Sequence, residues 1–171
     1  MSRIPQFWLF ASGSLSAAGA LVHLALPLGG ADWYSFVGAP QGIVAMAVAG
    51  LARPIVSCII IACVLGVFAS YAFSALGFIR RLPALRVALC VIGLGLLVRA
   101  VWFPVLAVTD PRVLGHFCGR CSNLNGFVVA TSALCLFIGV GYLLGAWRPN
   151  VASSLNCTVD QSSSKHSWGV W

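Results

Sequence analysis

Residues 54–78 read PIVSCIIIACVLGVFASYAFSALGF, with no charged side chain among them. A hydrocarbon core of about 30 Å needs about 20 helical residues, so this run can cross a bilayer as a helix. It is continuously apolar instead of alternating every second residue, which argues for a helix and against a barrel strand. Three more runs of that kind flank it, near residues 7–29, 87–108 and 124–147. The expected fold is therefore all-α, an integral membrane bundle of four helices formed by residues 1–148.

Composition agrees with that reading. Hydrophobic residues make up 60% of the 171-residue chain, charged residues 8%, and the mean hydropathy is +0.99, whereas a soluble domain carries about 25% charged residues. The length leaves room for one bundle and no separate soluble domain. A net charge of +7 raises the possibility of nucleic acid as a partner. The arginines, however, stand singly or in small groups beside apolar runs, as they do where a membrane protein orients itself, and nucleic-acid binding is set aside. Membrane lipids are the expected partners, with a membrane-protein partner or a second copy left open.

The ends of the runs carry interfacial aromatics: Phe7 and Trp8, Trp102 and Phe103, Tyr142 and Trp147. In the first run, ASGSLSAAGA (11–20) spaces Ser12, Gly13, Ser16, Ala17 and Gly19 so that backbones can approach closely, which predicts a central helix. A signal peptide cut after Ala20 is the rival reading, but the apolar run continues through Leu28. The link IRRLPALR (79–86) concentrates Arg80, Arg81 and Arg86, and cytoplasmic links collect such residues. Counting from that link puts six basic residues inside (3, 80, 81, 86, 148, 165) and three outside (53, 112, 120). The expected placement is a bacterial inner membrane with both termini cytoplasmic; nine arginines to one lysine in an Ala- and Gly-rich chain resemble the usage of a GC-rich bacterial genome.

Residues 30–53 form the first outer loop. Asp32 reads as an N-cap, Trp33, Tyr34 and Phe36 as a short interfacial helix, and Gly38 with Pro40 as its end. GIVAMAVAGL (42–51) is too short to span and is expected in the interface or dipping back into it. Residues 149–171 turn polar and Ser-rich, the composition of a disordered tail.

GHFCGRCSN (115–123) holds Cys118 and Cys121 in the last outer loop. In an oxidising compartment such a pair forms a structural disulfide, stays as two unpaired thiols, or works as a redox dithiol, helped by the nearby Arg120. With His116 the cysteines supply three zinc ligands but no second pair at a suitable spacing, so no metal is expected. Covalent haem needs Cys-x-x-Cys-His, and Ser122 follows the second cysteine.

Phe117 to Cys121, opening the fourth helix of a small bundle, resembles the vitamin K epoxide reductase and DsbB-like oxidoreductases. That resemblance implies a quinone-coupled thiol–disulfide enzyme with Cys118 and Cys121 catalytic and quinone as cofactor. The relay cysteines of those enzymes have no counterpart in residues 30–53. A broader resemblance rests on VHLALPLGGADWYSFVGAP (22–40), IRRLPALR and LLVRAVWFPVLA (96–107). These are similar to a group of small bacterial four-helix inner-membrane proteins of uncharacterised function, with His23, Asp32-Trp33-Tyr34, Gly38-Ala39-Pro40 and Arg99 in corresponding places. That group supplies no activity.

The remaining candidates for a site are polar groups in the outer half of the bilayer. A charge at Arg99, inside the third helix, demands a partner. His23, Asp32 and Arg99 are expected to converge under the loop helix that carries Trp33 and Tyr34, either as a structural Arg99–Asp32 tie with His23 bonded to a carbonyl, or, with Trp33 and Tyr34, as a pocket for a lipid headgroup, a quinone or another amphipathic molecule. The expectation is a non-enzymatic binding or accessory protein with no cofactor; the alternative is the quinone-coupled thiol oxidoreductase.

Overall fold

The computed structural model describes residues 4–113 and 126–147. All regular elements among them are helical. In chain order they are α1 (Ile4–Ala25), a 3-10 turn (Leu26–Gly29), α2 (Gly30–Phe36), α3 (Gln41–Val48), α4 (Arg53–Leu76), α5 (Leu85–Thr109) and α6 (Gly126–Ala146). Four segments, built on α1, α4, α5 and α6, are long and apolar enough to cross a membrane. The chain is thus a multi-pass four-helix membrane bundle, with ends within three residues of the expected spans except at the first, where α1 yields to the 3-10 turn.

Association of these helices has no help from the hydrophobic effect, because lipid tails are as apolar as the side chains; close packing must supply it. Small residues do so at three of the four seams. On α1, a Cβ at Gly13 would come 2.7 Å from the Ala72 Cβ of α4. A Cβ at Gly141 on α6 would fall on Ser12 Oγ of α1 and 2.8 Å from the Trp8 carbonyl. Between α5 and α6, Gly93 and Gly139 face each other, and a Cβ on Gly139 would stand 2.9 Å from the Gly93 carbonyl oxygen. Helix α1 lies centrally between α4 and α6, and α6 bridges α1 to α5, as the small-residue spacing predicts. The fourth seam is different. Helices α4 and α5 touch little, and no glycine of either is in tight contact with the other.

Near the arginine-bearing link, one core joins Leu9, Ala72, Leu89, Ile92, Ile138, Tyr142 and Ala146. Tyr142 corrects an expectation. It is no interfacial marker but is wholly buried, its hydroxyl 3.1 Å from Ser16 Oγ, while Trp147 remains exposed. Since Ser16 already donates to the Ser12 carbonyl at 2.9 Å, Tyr142 is the donor in that pair. An end-of-span aromatic on a helix turns inward when its position falls on the packed face, and periodicity in an all-apolar helix does not mark that face.

The opposite end has two separate clusters. Leu26, Tyr34 and Cys58 form one, with Val37, Ala39, Ile43, Val44 and Ala47 around them; Ala107 and Val128 form the other, with Phe103 and Leu106. The first is built by the α2–α3 corner. Its chain turns at Gly30 (φ 66°), and α2 starts at that residue, so Asp32 is a first-turn residue and not the N-cap. Helix α2 ends as expected: Gly38 (φ 78°) adopts the left-handed conformation, and the Ala39 amide donates back to the Tyr34 carbonyl at 2.9 Å.

Candidate functional site

Between those two clusters lies a cavity of about 430 Å³. Helix α1 contributes His23, the α2–α3 corner Tyr34, Val37 and Ile43, α4 Ser57, Cys58 and Ile61, α5 Arg99 and Phe103, and α6 Thr131. Three of the five candidate binding residues, His23, Tyr34 and Arg99, line this cavity. Asp32 and Trp33 do not. They are exposed and line a neighbouring groove with Val22, Ala25, Leu26, Phe36 and Val37.

Arg99 governs the chemistry of the cavity. It stands ten residues before α5 ends at Thr109, or about 15 Å at helical rise, too deep for its side chain to reach that end easily. A cation at such a depth costs about 2.5–3.5 kcal/mol on insertion scales. Its guanidinium carbon lies 4.2 Å from the centre of the Phe103 ring, one helical turn on, a cation–π contact worth about 0.5–2 kcal/mol. One nitrogen, Nη1, donates to Cys135 Sγ at 3.4 Å, and a thiol is a weak acceptor. The expected tie to Asp32 is not formed. Asp32 stays on the exposed face of α2 because the helix begins three residues earlier than its sequence suggests, with Gly29 and not Asp32 at the N-cap, which turns that position away from the bundle. Asp110, the other acidic residue among those described, accepts from the Val113 amide at 3.4 Å through Oδ1.

His23 contacts the Gly19 carbonyl oxygen through Nδ1 at 2.8 Å. A carbonyl only accepts, so Nδ1 carries the proton and Nε2 is the free nitrogen, an acceptor in the neutral ring and a donor once protonated. The Tyr34 hydroxyl is buried and finds no oxygen or nitrogen partner among the described residues; the Cys58 thiol is its neighbour. Ser57 and Thr131 spend their hydroxyl protons on the carbonyls of Arg53 and Val128.

The sequence reading missed Phe103 as a partner, although its i+4 spacing from Arg99 was available as a signal. Cys135 and Thr131 could not be found that way, since only packing brings α6 to Arg99. Cys118 and Cys121, with His116 and Arg120, lie outside the described residues, as does the segment 149–171. Among the described residues no three His, Cys, Asp or Glu side chains gather as a metal site. Comparison of the chain with protein-family models, with curated proteins and with solved structures finds no match.

Proposed function

We propose that the chain is a non-enzymatic binding or accessory protein of a bacterial inner membrane, with both termini cytoplasmic and an outward cleft that holds an amphipathic molecule. The observation that carries this reading is the cavity itself. Its volume falls in the range of about 300–1,000 Å³ typical of ligand sites, and a mostly apolar wall with a few convergent polar groups is their usual construction. The arginine-bearing link and the cavity lie at opposite ends of the bundle, which supports an outward-facing cleft under the rule that basic residues stay inside. Native mass spectrometry of the full chain purified from its own membrane tests the reading: one small amphiphile is expected to remain bound, and Ser57→Phe, which fills the cavity, is expected to release it. Protein equally bare with and without the substitution refutes it.

The Cys-x-x-Cys at 118–121 supports a second reading, a quinone-coupled thiol–disulfide oxidoreductase. Thiol trapping decides between them. A pair that changes state with the quinone pool supports the enzyme, and a pair locked in one state supports the binding protein.

A further inference from the structure

The polar side of the cavity has one sign of charge. Arg99 brings a full positive charge to it, and among the described residues no carboxylate lines it. Of the three acidic residues in the sequence, Asp32 is in the adjoining groove, Asp110 serves the backbone of Val113, and Asp160 lies outside the described residues. The two contacts that hold Arg99 orient its guanidinium without neutralising it. Phe103 covers a face and leaves the in-plane N–H groups unused, and Cys135 takes one of five. The remaining fork matches a planar pair of oxygens, the geometry of a carboxylate or a phosphate edge.

The apolar side leads into the bilayer. The cavity takes lining from both α4 and α5, two helices that touch little. Pro104 lies inside α5 one turn beyond Ala100 and deprives that carbonyl of its helical partner, a feature that bends helices. Ile61, on the cavity wall, is 43% exposed, and Val101 and Trp102 on α5 are more so.

Building on the binding reading above, we infer that the ligand is an acidic amphiphile that enters laterally between α4 and α5, its phosphate or carboxylate head against Arg99 and its hydrocarbon chain in the seam. The charge left uncompensated among the described residues and the weakly packed seam are then one site.

The test uses the full chain in a nonionic maltoside detergent, with thermal unfolding followed as dodecyl phosphate, dodecanoate, dodecanol or inorganic phosphate is titrated. Both acidic amphiphiles are expected to stabilise the protein saturably, with the alcohol and inorganic phosphate weaker by about tenfold or more. Arg99→Gln should erase the preference for acid over alcohol, and Arg99→Lys should keep part of it. Ile61→Trp should weaken both acidic amphiphiles while preserving their advantage over the alcohol. Equal binding of acid and alcohol, or an acid preference untouched by Arg99→Gln, overturns the acidic ligand but leaves the binding reading in place. Inorganic phosphate as effective as dodecyl phosphate overturns the lipidic ligand in favour of a soluble anion. No stabilisation by any amphiphile overturns the binding reading and this inference together.

Discussion

Replacing Gly141 by Ala tests the claim that close approach of α1 and α6 holds the bundle together. The new methyl carbon would land on Ser12 Oγ, 2.8 Å from the Trp8 carbonyl oxygen and 3.1 Å from Ser12 Cβ. Ser12 is itself buried, and the carbonyl belongs to a helix backbone that cannot rotate away, so α1 must shift as a body. Overpacking of this kind costs about 1–3 kcal/mol, and the rigid neighbour argues for the upper half of that range. The substitution also gains about 0.8–1 kcal/mol of helix propensity. Gly66→Ala, in the middle of α4 with nothing within 4 Å of the added carbon, makes the same gain without the clash. The stability difference between the two variants therefore isolates the steric cost at about 2–3 kcal/mol. Adding Ser12→Ala to Gly141→Ala should restore only part of the loss, because the Trp8 carbonyl remains. Denaturant or thermal unfolding of purified protein in detergent supplies the measurement. Gly141→Ala and Gly66→Ala unfolding alike, or full rescue by Ser12→Ala, would refute the reasoning.

Tyr142→Phe removes one interhelical hydrogen bond and should cost about 0.6 kcal/mol, the average for such bonds in membranes, while Tyr142→Ala, which empties a wholly buried site, should cost about 3–5 kcal/mol; unfolding in detergent reads both. Because Arg99 and Asp32 line different cavities, the double change Arg99→Ala with Asp32→Ala should equal the sum of the single effects within about 0.5 kcal/mol. A clear shortfall in the same unfolding assay would mean that the two side chains meet. Changing Cys118 and Cys121 together to Ser should lower stability by no more than about 2 kcal/mol, since a cross-link closing so short a loop restrains few unfolded conformations, and any cellular phenotype should survive. A periplasmic reporter fused after Arg81 should be silent and one fused after Arg120 active; the reverse pattern would invert the orientation.

The spans were legible in the sequence because a bilayer selects on length and apolarity alone, and both are properties of a chain read in order. The Gly38 stop of α2 was legible for a similar local reason: the left-handed turn there needs a residue without a Cβ. The central place of α1 followed from its small residues. Inward and outward faces were not legible, since a helix whose outer face meets lipid has no polar stripe to mark it, and Tyr142 was misassigned on that account. The site was half legible. That Arg99 needed company could be read from its depth, but which groups supplied it depended on how α5 and α6 dock through Gly93 and Gly139, which brings Cys135 to the guanidinium. The position of Asp32 depended on a helix start shifted by the Gly30 turn. The sequence thus determined what must be buried in lipid and which charge could not lie there unattended. Only the packing of the four helices decided that α4 and α5 touch so little, because the approach of two helix backbones depends on which small residues face each other across a seam, and no single stretch of chain contains both sides.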